Sequence, residues 1–71
     1  MNKQTYTAVI QQTESWWIGW IEEIPGVNAQ EQTREGLLES LRECLIEAIS
    51  MNRQDALAAA GRHYQEEAIA L

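Results

Sequence analysis

The run Ser15-Trp-Trp-Ile-Gly-Trp-Ile21 constrains this chain more than any other segment. Trp16, Trp17 and Trp20 fall within five positions, among β-branched residues, and the stretch from about Trp16 to Ile24 reads as a β-strand. Successive side chains of a strand point to opposite faces. Trp16, Ile18 and Trp20 therefore share one face, and Trp17, Gly19 and Ile21 the other. Both faces are apolar, and one helix covers only one of them. Gly19 lacks a Cβ and lets a helix come close, so its face is assigned to the core. The opposite face, with Trp16, Ile18 and Trp20 and with Glu22 and Glu23 at its end, leaves a large aromatic patch that needs a cover. It is the expected interface with a partner or a second copy.

The neighbouring segments supply the rest of a small sheet. Gln4–Gln12 is rich in Thr, Tyr, Val and Ile and reads as a first strand, and Thr13-Glu14-Ser15 is a break of hairpin length. Pro25-Gly26 suits the centre of a type II turn, and Val27–Glu31 reads as a short third strand. The period then changes. Thr33 is a helix N-cap candidate, with Glu35 in the first turn where the helix dipole favours an anion. Leu37, Leu41, Cys44, Leu45, Ala48 and Ile49 follow at helical spacing, which predicts a helix over about Arg34–Met51. Arg53–Ala60 is strongly helix-forming and either continues that helix or restarts after Asn52, with Gly61 as its C-cap. Tyr64–Leu71 reads as a late strand or an extended arm. The expected fold is α+β: a three-stranded antiparallel sheet in the order β-β-β-α, one long helix on one face, and room for an extra short helix and a C-terminal strand.

Seventy-one residues make one domain, here taken as 1–71. A domain of this size buries only about 60–65% of its unfolded surface, and small domains often gain stability by oligomerising. With its two apolar sheet faces, this chain is expected to form a dimer or higher homo-oligomer. Eleven acidic against five basic side chains leave a net charge of −6. Nucleic-acid affinity rests on clustered Lys and Arg, so binding of nucleic acid by the chain itself is not expected, and attraction to anionic membranes is disfavoured likewise. No apolar run is long enough to span a bilayer, and no secretory leader is recognisable. The lone Cys44 forms no internal disulfide, which suits a reducing cytoplasm.

The chain offers little chemistry. Cys44 lies on the apolar stripe, where a thiol acts as a small hydrophobe. His63 follows Gly61 in a polar connection with no second His or Cys near it. Adjacent carboxylates in extended chain, as in Glu22-Glu23 and Glu66-Glu67, point apart rather than converge on one substrate. No metal-ligand spacing and no phosphate-cradling glycine loop occur. No catalytic, cofactor-binding or metal-binding residue is expected, and an enzyme is not the expected reading.

Taken together, Tyr6-Thr-Ala-Val-Ile10, the aromatic strand Trp17-Ile-Gly-Trp-Ile21, Ile24-Pro-Gly-Val27, and Thr33-Arg-Glu leading into a Leu-rich helix resemble the HicB antitoxin family. The resemblance runs from Tyr6 to Ile49. It departs from the family pattern at Ala29-Gln30-Glu31, where members carry Ser-x-Gly. If that glycine supplies a positive φ, Glu31 is strained or the loop differs. Gly36 stands where members have Ala in the first helical turn, at a cost of about 1 kcal/mol. Full-length members add a DNA-binding domain after the core. Only about 20 residues follow the helix here, so the chain resembles a short, core-only member, and DNA binding is not carried over. The family core resembles a fragment of the ribonuclease H architecture without its catalytic carboxylates. The resemblance implies an antitoxin that binds and neutralises a HicA-like toxin, a small basic RNA-cleaving protein. The alternative is a self-associating HicB-like domain with a scaffold or unknown regulatory role and no toxin partner.

Overall fold

The structure is a computed structural model and describes residues 5–71. Gln4, where the first strand was expected to begin, lies outside the described residues. Three strands, β1 (Ala8–Gln12), β2 (Trp17–Ile21) and β3 (Asn28–Glu31), are followed by one helix, α1 (Arg34–Ala60). The strands form one antiparallel sheet in sequence order, with Val9 opposite Trp20, Ile10 opposite Gly19, and Gly19 opposite Ala29. This is the expected α+β architecture.

Each strand is shorter than its apolar run, for local reasons. Trp16 belongs to the hairpin loop rather than to β2. Its N–H donates to Thr13 Oγ1 at 3.1 Å, and its carbonyl accepts from Thr13 N–H at 2.7 Å. The Thr13 hydroxyl thus takes a donor that would otherwise extend the ladder. At the other end β2 stops at Ile21, and the chain bends into Pro25-Gly26. Gly26 has φ 89°, the left-handed value that the third position of a type II turn requires.

The helix begins at Thr33, whose Oγ1 accepts from Gly36 N–H at 2.9 Å, with Glu35 in the first turn. It runs unbroken through Met51 and Asn52, because nothing there lacks an N–H or demands a positive φ. Of the two readings of Arg53–Ala60, continuation holds: the helix placed over about Arg34–Met51 runs on to Ala60, and no second helix follows. Gly61, at φ 79°, closes it as expected, its N–H donating to Leu57 O at 3.3 Å. Residues 61–71 form no strand. All are exposed, and the Arg53–Glu66 ion pair at 3.5 Å lays the tail back beside the helix instead of against the sheet.

Ile21, Val27, Leu37 and Leu41 form the buried core, with Ile10, Trp17, Ala29, Cys44 and Ala48 packed around it. The helix lies over β2 and β3 and scarcely touches β1. At 1.5 Å per residue its 27 residues span about 40 Å, whereas five strand residues span about 17 Å. The last eleven of those 27 residues, after Ile49, therefore project beyond the sheet, and the molecule is 51 Å long but 15 Å thick.

Candidate interaction surface

The sheet alternation places the aromatic residues as the strand period requires. Gly19 and Ile21 are buried and Trp17 packs on the core, so their face meets the helix. Ile18 and Trp20 lie on the opposite, open face. The register adds Val9 and Gln11 from β1 and Asn28 and Gln30 from β3 to that face. It thus has a central apolar pair, Val9 across from Trp20, with uncharged amides around it. Trp20 is 41% exposed, and Trp16, in the hairpin loop before β2, 39%. Val9, Gln11, Asn28 and Gln30 were not among the expected interface residues. Period-two alternation in β1 and β3 carries that signal once the register with β2 is known.

Glu22 and Glu23 lie beyond the end of β2, and the structure separates their roles. Glu22 N–H donates to Thr7 O at 2.9 Å, continuing the hairpin by one pair, while its side chain is exposed. The Glu23 carboxylate turns back and accepts from Thr7 N–H at 2.7 Å. That bond, more than any other influence, holds the Glu23 carboxyl below the usual carboxylate range, because a donor that favours the charged form makes protonation harder. Glu23 is therefore occupied in closing the hairpin, and Glu22 is the carboxylate left open to solvent.

Glu31 and Gly36 have local explanations. Among the described residues no residue other than glycine has a positive φ, so Glu31 is unstrained. Glu31 ends β3, and its Oε2 accepts from the Ser40 hydroxyl at 2.7 Å, which ties the sheet to the helix. Gly36 has a steric role: a Cβ there would lie 2.9 Å from Thr33 Oγ1, the atom that caps the helix.

Cys44 is partly buried against the core and His63 is exposed. Among the described residues no three of His, Cys, Asp and Glu gather as a metal site would need, and the recess lined by Arg62, His63, Tyr64 and Gln65 is shallow and open. No described helix is long and apolar enough to cross a membrane. No family model matches the chain, and neither the curated proteins nor the solved structures hold a significant match to it.

Proposed function

We propose that this chain is a HicB-like, antitoxin-type binding protein of the cytoplasm that neutralises a HicA-like RNA-cleaving toxin by covering its RNA-binding surface. The observation that carries this reading is the open sheet face. Trp20 on that face and Trp16 in the hairpin loop stand about two-fifths exposed, with the exposed carboxylate of Glu22 just beyond the end of β2, on a chain of charge −6. A surface built to hold RNA is cationic and carries apolar and stacking ground between its charges. Carboxylates steer such a surface over roughly a Debye length, about 8 Å at physiological salt, and a desolvated aromatic then anchors the complex. The second reading is the self-associating domain without a toxin, favoured by the same two rings, which a second copy would also cover.

Co-expression with the cognate basic ribonuclease tests the proposal. The toxin alone should arrest growth and the pair should grow. Trp20→Ala should weaken binding by ten-fold or more, the loss typical of a truncated anchor. Glu22→Lys should chiefly slow association and reduce its salt dependence. If no HicA-like protein of the host binds or is silenced, the toxin reading is overturned and the self-associating one stands.

A further inference from the structure

The outer edge of β1 is a second unpartnered surface, distinct from the open face. In an antiparallel pair, residues alternate between turning their N–H and C=O towards the partner strand and away from it. Thr7 accepts from Glu22 N–H, and Thr13 N–H donates to Trp16 O, so Thr7, Val9, Gln11 and Thr13 face β2. The backbone groups of Ala8, Ile10 and Gln12 therefore face outward, and among the described residues nothing pairs with them.

Natural edge strands are usually blunted by a charge, a proline or a bulge. This edge has none. From Gln4 to Thr13 no residue is charged, the longest such run in the chain, and the register with β2 is continuous over Ala8–Gln12. The β3 edge differs: it is four residues long, ends in Glu31 and runs directly into the helix.

We infer that two copies of this chain join edge to edge through β1, related by a two-fold axis at Ile10. The pairing is self-complementary. With Ile10 opposite Ile10 of the second copy, Ala8 meets Gln12 and Gln12 meets Ala8, and all the outward donors and acceptors of the strand are satisfied at once. On the helix side, Ala8 and Ile10 are only partly buried, because the helix leans over β2 and β3, and the two Ile10 side chains would cover one another. The helices do not obstruct this. With strands spaced about 4.8 Å, a helix centred between β2 and β3 lies roughly 10 Å from the axis, so the two stand about 19 Å apart against the 8–10 Å of packed helices. Charge selects a second copy over another occupant. Copies of charge −6 repel one another, and an uncharged strip is where they approach at least cost. A cationic partner gains nothing there and is drawn to the carboxylates elsewhere. The joined sheet has six strands, with the Trp20 faces of both copies on one side, and it does not depend on the toxin reading.

Sedimentation of the intact chain at micromolar concentration should give a species of twice the 8.1 kDa chain mass. Gln12→Pro removes an outward N–H while leaving the ladder to β2, so it should shift the dimer towards monomer at least ten-fold with circular dichroism unchanged. Trp20→Ala should leave the dimer intact. If Gln12→Pro fails to fold, a Val9→Cys, Gln11→Cys pair in a Cys44→Ser background decides. These positions oppose one another across the axis at about 4.5 Å between Cα atoms, within disulfide reach, so mild oxidation should give a covalent dimer. A monomer at that concentration, a dimer dissolved by Trp20→Ala but not by Gln12→Pro, or no covalent dimer from the cysteine pair would each overturn the inference.

Discussion

Gly19 lies directly beneath Leu37: a Cβ on the glycine would stand 3.2 Å from Leu37 Cδ2, and only 2.9 Å from the carbonyl oxygen of Val9 on the neighbouring strand. Leu37 is the most deeply buried residue of the core. The bare Cα therefore sets how closely the helix approaches the sheet.

Substitution at this point should be costly although alanine is the better strand residue. The obstructing carbonyl is backbone and does not rotate away. Gly19→Ala should destabilise the fold by about 1–3 kcal/mol, as overpacking of a tight core does. Urea unfolding followed by tryptophan fluorescence measures it. A variant as stable as the parent would mean that the helix rides further from the sheet.

At the helix N-terminus two effects oppose one another. Gly36→Ala gains about 1 kcal/mol of helix propensity. It also puts a methyl group against Thr33 Oγ1 and displaces the cap, which is worth a similar amount. The single substitution should therefore be close to neutral, whereas in a Thr33→Ala background it should stabilise by about 1 kcal/mol. The double-mutant cycle reads this non-additivity directly, and additive values would show that the threonine side chain moves aside without losing its bond.

Glu23 should make the hairpin sensitive to acid. Its carboxyl group is held below the ordinary value of 4.5 by the Thr7 N–H. A group whose folded pKa is depressed contributes stability above its unfolded pKa, and that contribution is lost as pH falls through the folded one. The urea midpoint should therefore drop as pH is taken below about 4.5, and Glu23→Gln should remove part of that drop while lowering stability at neutral pH. Parallel pH profiles for parent and variant would show that the carboxylate contributes nothing at this exposed position.

The faces of β2 were legible from alternation alone, because a strand permits only two orientations and Gly19 pointed to the packed one. Thr33 and Gly61 were legible because helix ends make local demands on side chain and φ. Whether the helix stopped at Met51 or ran on to that cap was not. Met51-Asn52 contains no breaker, and whether a helix stops there depends on the next turn rather than on those two residues. The role of Glu23 was equally hidden. Its partner is a backbone amide sixteen positions earlier in the chain, brought near only by the hairpin register. The same register was needed to see Val9 beside Trp20.

The helix that outruns its sheet divides the molecule into two regimes of time. Up to Ala48 the helix has core packing beneath it; beyond Ile49 it has its own backbone bonds, a half-buried Leu57, a long exposed Gln54–Ser50 side-chain bond and one exposed ion pair. Isolated helical turns of this length are marginal in water. Amide protons of residues 52–60 should therefore exchange through local fraying from the carboxyl end, long before those of Leu37 and Leu41, which exchange only when the sheet and helix part. A protease acting on the native protein should trim this arm and stop at the sheet, leaving the open Trp20 face attached to a shorter rod.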